Sequence, residues 1–277
     1  MSELTQEKIK QFKAEGYCIV KNFFNERETQ AIQAEVERLK RIGKLHNVAT
    51  EGDGKTASTQ KKNLQLCPAF QDSPLFRSLP FHPKVVSAVQ TLIGDVVVLH
   101  LDQIFLKPAK DGAGTNWHQD NAYFRITDPM KGTALWIAAH DATIANGTMR
   151  IIPNAFKEPL PHSRDPMSNH HIRCYPDESK AIDCEIPAGS VVFFCYGTPH
   201  ATGGNSTTKD RAGVAFHFLT QDSIDSCGER DRFYTEKDYH PILTGPNATG
   251  GLKEYGIKIA GTWENEINQL LATPANA

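Results

Sequence analysis

The sequence has no long hydrophobic run. Its longest apolar stretches, such as Ser190 to Tyr196, fall far short of the roughly 20 residues that cross a bilayer. The amino terminus carries no basic stretch followed by an apolar core, so no secretory signal is expected and a cytoplasmic placement is read. Charge of one sign is missing too. Thirty Lys and Arg face 32 Asp and Glu, for a net charge of −2. That balance excludes the strongly basic face of a nucleic-acid binder. There is no CxxC pair, and the cysteines at 18, 67, 174, 184, 195 and 227 are widely and irregularly spaced. Reduced thiols are expected rather than a disulfide framework. Cys195, inside Val-Val-Phe-Phe-Cys-Tyr, is expected to act as a small buried hydrophobe. Repeats and low-complexity linkers are absent.

What is present is a soluble globular composition, 39% hydrophobic and 22% charged. Residues 5–14 read as a helix and 16–20 as a strand, with Gly16 ending the helix. Asn25 followed by Glu28 is an N-cap with its reciprocal glutamate. Ile32, Val36 and Leu39 then recur at helical spacing to about Arg41. Residues 43–62 read as a polar loop, and Pro83 to Ile93 as a helix with Val85, Val86, Val89 and Leu92 on its apolar side. After Gly94, short β-type runs follow one another: 96–107, 133–139, 148–153, 182–186, 190–196 and 213–219. Turn signals separate them and no helical pattern intervenes. This favours an antiparallel sandwich or barrel over a parallel βαβ sheet. One domain over 1–277 is expected, with a mostly helical layer at 1–95, a β core at 96–220 and a C-terminal extension at 221–277. The last residues, 273–277, are expected to fray.

The informative segment is Trp117-His118-Gln119-Asp120-Asn121-Ala122-Tyr123-Phe124. In an extended segment, residues i and i+2 share a side, so His118 and Asp120 can aim a nitrogen and an oxygen at one point. A third ligand would complete a facial triad of two histidines and a carboxylate, the arrangement of non-haem iron(II) oxygenases. His200, just past the apolar run 190–196, is the best third ligand. An HxD pair alone says little, and the chain supplies a second one in His100-Leu101-Asp102. The pair at 118 stands out for its aromatic neighbours, the downstream histidine at a strand end, and the lone Arg211 opening the next strand. Arg211 suits a distal carboxylate because its planar fork makes two parallel hydrogen bonds. If 191–200 and 212–218 are antiparallel neighbours, the turn at 203–209 would fold Arg211 back near His200.

Taken in order, these residues resemble the phytanoyl-CoA dioxygenase-like family of Fe(II)/2-oxoglutarate oxygenases. The resemblance rests on the helix–Gly-Tyr–strand–helix opening at 5–40, Phe105-Leu106-Lys107-Pro108, and the Trp-His-Gln-Asp segment. It continues through Leu135-Trp136-Ile137-Ala138, Asn146-Gly147-Thr148-Met149-Arg150, Gly189-Ser190-Val191, His200-Ala201-Thr202-Gly203 and Arg211. It implies a mainly β fold with flanking α-helices, a double-stranded β-helix or jelly roll of cupin type. It implies iron on His118, Asp120 and His200. It implies 2-oxoglutarate contacts from Arg211, Thr202, Trp136, Gln103 and Lys62, with Lys61 as the alternative to Lys62. O2 would be the oxidant, and ascorbate as a reductant stays open. The expected reaction turns 2-oxoglutarate into succinate and CO2 while a substrate C–H is hydroxylated.

Asn121, Tyr123 and Phe124 follow the HxD and are candidate substrate-side lining. The segment 154–175 departs from the acyl-CoA enzymes: it holds His162, Arg164, His170, His171 and Arg173. Arg164 and Arg173 are candidate contacts to a small anionic metabolite, such as a phosphonate or an amino or carboxylic acid. An acyl-CoA 2-hydroxylase is the alternative. A zinc or manganese cupin would need a tight HxH cluster, which is absent. A non-catalytic jelly-roll binding module would have lost a triad residue or Arg211, and all four are present. No nucleic-acid or membrane partner is expected, and the sequence leaves substrate identity and oligomeric state open.

Overall fold

The computed structural model describes residues 4–226 and 240–272. Cys227 and the tail 273–277 lie outside the described residues. The helix Gln6–Glu15 opens at Thr5, whose side chain accepts from Lys8 N. It closes at Gly16, which sits at φ +83°. A Cβ there would also lie 2.6 Å from the Phe156 ring, so only glycine fits. The helix Glu26–Arg41 carries the expected capping box between Asn25 and Glu28, and it buries Ile32, Val36 and Leu39. The helix Pro83–Ile93 has the expected bounds, and it buries Val85, Ala88, Val89, Leu92 and Ile93. Val86 is only half-buried.

Thirteen strands follow the chain in the described residues: β1 (Tyr17–Val20), β2 (His46–Asn47), β3 (Leu64–Leu66), β4 (Val97–Lys107), β5 (Thr115–His118), β6 (Gly132–Ala138), β7 (Met149–Ile151), β8 (Ser163–Arg164), β9 (Ile172–Arg173), β10 (Ile182–Asp183), β11 (Val191–Cys195), β12 (His200–Thr202) and β13 (Arg211–Thr220). A seven-stranded sheet runs β1-β11-β6-β13-β4-β3-β2, a four-stranded sheet runs β10-β7-β12-β5, and β8 pairs with β9. All the strand pairs are antiparallel. The fold is the mainly β, double-stranded β-helix class with flanking helices.

Alternation along the strands sorts side chains into two layers. On β6, Leu135 and Ile137 join the larger apolar cluster, which includes Phe12, Ile32, Leu39 and Val89 from the helices. Ala134, Trp136 and Ala138 face the other way, packing with Met149, Ile151 and Cys184 on the side of the small sheet. The large sheet is thus covered by helices on one face and by the small sheet on the other. The N-terminal 95 residues are less purely helical than expected, because β1 and β3 extend the large sheet. The C-terminal helix Trp263–Ala272 returns to this helical layer, where Trp263 Nε1 donates to Glu28 Oε1 at 3.2 Å. Among the described residues no helix is long and apolar enough to cross a membrane.

One topological expectation fails. β11 and β13 are not neighbours: each pairs with β6, and His200 sits on β12 in the other sheet. Arg211 reaches the site from the facing sheet rather than by a hairpin return.

Candidate active site

β5 and β12 are antiparallel, and their register places His118 directly opposite His200. The two ring centroids are 4.2 Å apart. His118 Nδ1 donates to Asn116 O at 2.8 Å, and His200 Nδ1 donates to Thr198 O at 3.0 Å. Those bonds fix the tautomers and leave both Nε2 lone pairs free, the state in which imidazole binds a metal. Asp120 Oδ1 lies 3.7 Å from each Nε2. All three ligand atoms lie within 4.8 Å of one another.

Asp120 arrives there by a different route from the expected one. β5 ends at His118, and Asp120 has helical dihedrals, φ −59° and ψ −32°, leading into the short helix Asn121–Phe124. A turn at the strand end, not i, i+2 alternation, brings the carboxylate round. Gln119 holds that turn: its side chain donates to Glu158 O and Gly197 O and accepts from Leu160 N.

Burial dominates the electrostatics. It pushes the His118 imidazole down to about 3, aided by the neighbouring His200, and it lowers His200 as well. Both rings are neutral at physiological pH. Burial alone would raise Asp120, but the imidazoles of His200, His217 and His118 outweigh it, and the carboxyl is held well below the usual range. His217 was not foreseen. Its Nε2 donates to Asp120 Oδ2 at 3.2 Å, so one carboxylate oxygen is engaged and the other faces the histidines.

The triad opens into a cavity of about 490 Å³, within the usual range for small-molecule sites. Arg211 and Trp136 line it from the large sheet and Thr202 from the small one. The guanidinium lies 5.6 Å from the Trp136 ring centre. Gly213 lets the indole lie there, since a Cβ at that position would be 2.5 Å from Trp136 Nε1. Arg211 is fully buried, and it donates through Nε to Asn146 O at 3.3 Å and through Nη2 to Gly147 O. Its Nη1 is buried without a partner. Gln103 lines the cavity and accepts from Gln65 Nε2 at 2.8 Å.

The other candidates divide. Tyr123 and Phe124 line the cavity. Asn121 does not; its side chain bonds Ile126 N and O, each at 3.0 Å, and closes the local turn. Lys62 is exposed and outside the cavity. Arg164 donates to His171 O at 2.9 Å and to Asn169 O, tying the β8–β9 hairpin together. Arg173 lies over the Tyr175 ring, 5.3 Å from its centre. Neither arginine lines the cavity. His170 and His171 do, and burial lowers both imidazoles. The other HxD is used elsewhere: Asp102 accepts from Ala69 N and Phe70 N, and His100 packs edge-on against Phe124.

The residues fit iron(II) and 2-oxoglutarate. Two neutral imidazoles and a carboxylate form the donor set of a facial iron site, and a buried arginine with an orphaned N–H awaits an anion. A model of the phytanoyl-CoA dioxygenase (PhyH) family matches residues 12–213. The chain belongs to the phytanoyl-CoA dioxygenase family. It is 24% identical over 234 residues to an ectoine dioxygenase from Stutzerimonas stutzeri, covering 77% of this chain and 76% of that protein. To the peroxisomal phytanoyl-CoA dioxygenase of Rattus norvegicus it is 24% identical over 236 residues, covering 79% and 69%. Among solved structures, the non-haem α-ketoglutarate-dependent carbocyclase SnoK from nogalamycin biosynthesis superposes with a TM-score of 0.70 at 21% identity, covering 87% of this chain and 97% of that one. EctD from S. alaskensis, solved with 2-oxoglutarate and 5-hydroxyectoine, gives 0.62 at 19% identity over 79% and 77%. With its triad intact, the chain is a non-haem iron, 2-oxoglutarate-dependent dioxygenase of that family.

Proposed function

We propose that this enzyme hydroxylates an unactivated C–H bond of a small molecule and that His118, Asp120 and His200 hold its iron. Iron(II) with 2-oxoglutarate supplies oxygen activation, with succinate and CO2 as co-products. The chain's own residues position and exclude. Arg211 Nη1 would take the distal carboxylate of 2-oxoglutarate, with Thr202, Trp136 and Gln103 beside it. Tyr123, Phe124 and the β8–β9 hairpin would enclose the substrate, and Tyr123 Oη already accepts from Ile172 N at 2.8 Å. The observation that carries this reading is the convergence of the triad and an unpartnered buried guanidinium on one cavity.

The expectation of an anionic substrate changes. It rested on Arg164 and Arg173, whose guanidiniums serve the hairpin and Tyr175. Burial keeps His170 and His171 in the neutral form at physiological pH. The substrate side of the cavity therefore favours a molecule with little or no negative charge. Its apolar portion, including Val48, Leu101, Phe105 and Phe124, favours a second reading in which an acyl chain enters, as in an acyl-CoA 2-hydroxylase. Free buried thiols at Cys18, Cys174, Cys184 and Cys195 support a reducing, cytoplasmic setting. The test is substrate-stimulated, O2-dependent succinate release across neutral small molecules, small anions and acyl-CoA thioesters. Stimulation by anions alone would sink the charge argument. No 2-oxoglutarate turnover under any condition would leave a binding module.

A further inference from the structure

We infer that Lys107 shares the distal carboxylate of 2-oxoglutarate with Arg211, forming a two-cation clamp in the floor of the cavity. The inference rests on the proposed 2-oxoglutarate site and adds a residue to it. Lys107 ends β4 and is the direct cross-strand partner of Arg211, the first residue of β13. Directly opposed residues on one sheet face have Cβ atoms about 5 Å apart. Both side chains are fully buried, and both line the cavity.

Two like charges at that separation are unfavourable unless an anion lies between them. Among the described residues, the cavity lining contains one acid, Asp120, and it belongs to the triad. Neither cation makes an ion pair with a described residue. The printed hydrogen bond of Lys107 Nζ goes to Ala113 O, whereas an ammonium carries three donors. Arg211 Nη1 has none. The floor thus offers unspent donors on two buried cations, an arrangement suited to the two oxygens of a carboxylate. Burial, reinforced by the Arg211 charge, also holds the Lys107 ammonium well below its ordinary range, a strain that an arriving anion relieves.

Lys107 is placed, not merely present. Its Cβ packs where a Cβ on Gly112 would come within 2.8 Å, and Asn205 Nδ2 donates to its carbonyl at 3.0 Å. The exposed Lys62 has no such position.

The experiment compares binding of 2-oxoglutarate and 2-oxobutanoate to the iron(II)-loaded protein under nitrogen, by calorimetry. Both acids chelate iron identically, but 2-oxobutanoate lacks the distal carboxylate. Lys107→Met should raise the Kd of 2-oxoglutarate about 10- to 100-fold, the worth of one charge-assisted hydrogen bond in a buried site. The Kd of 2-oxobutanoate should stay within about threefold, and Lys62→Ala should change neither. If Lys107→Met does not fold, Lys107→Gln is measured with the same two acids. Equal losses for both acids, or an unchanged 2-oxoglutarate Kd, overturn the clamp. So does a selective loss in Lys62→Ala. Failure of the wild-type protein to bind 2-oxoglutarate would instead sink the proposed function itself.

Discussion

His217 Nε2 donates to Asp120 Oδ2 at 3.2 Å, so a residue of the large sheet orients the one acidic metal ligand of the small sheet. Replacing His217 with Ala should weaken iron binding about 10- to 100-fold, the usual cost of losing a partner behind a ligand. Fold should persist, since the histidine is one side chain in a ten-residue strand. Iron titration followed by calorimetry checks this. Unchanged affinity would mean that Asp120 needs no orientation.

The triad itself is tested against the chain's other HxD. His118→Ala should abolish stoichiometric iron binding and turnover, because two ligands do not make a facial site. His100→Ala should leave iron binding intact, since that ring packs on Phe124 and stacks on His240. Metal content by emission spectroscopy reads both variants.

Arg211→Lys keeps a charge but loses the planar fork. The KM for 2-oxoglutarate should rise at least about tenfold, or about 1.4 kcal/mol, while iron still binds. Steady-state kinetics with varied 2-oxoglutarate is the measurement, and an unchanged KM removes Arg211 from the co-substrate site.

Glu28 links the helical layers, accepting from Asn25 N at 2.7 Å and from Trp263 Nε1 at 3.2 Å, with His82 Nε2 at 3.3 Å. Burial opposes its ionisation, but the hydrogen bonds from His82, Asn25 and Trp263 prevail and lower its pKa to about 2. A carboxyl lowered in the folded state stabilises the fold above its unfolded pKa, near 4.5, and that contribution is lost as pH falls from there toward 2. Glu28→Gln should cost about 1–3 kcal/mol at pH 7 and flatten the acid limb of the stability curve. Urea denaturation across pH 3–7 reads both effects.

Much of the site was legible because it sits where the chain breaks pattern. His118 and His200 mark strand ends, and Arg211 opens a strand after a polar turn. The structure also shows why the rival pair at His100 fails: the Asp102 carboxylate is taken by two backbone N–H groups. His217 was hidden because a histidine between two phenylalanines reads as core. Its signal was even spacing from Arg211 along one strand face, 211, 213, 215, 217. Arg164 and Arg173 misled because charge in a loop does not reveal where it points; backbone carbonyls and an aromatic ring claimed them. Short elements such as β8, β9 and the helix Pro74–Ser78 have too few residues to show a period.

The two halves of the site belong to different sheets. His118, Asp120 and His200 come from the small sheet and the turn that follows β5. Lys107, Trp136 and Arg211 come from the large one. The distance across which a co-substrate must stretch is therefore set by the filling between the sheets. Met149, Phe194 and Ala215 belong to that filling and also border the cavity. They act as spacers. Thickening or thinning that layer retunes the reach from metal to anchor without altering a single ligand, so the gauge of this active site is written in its packing.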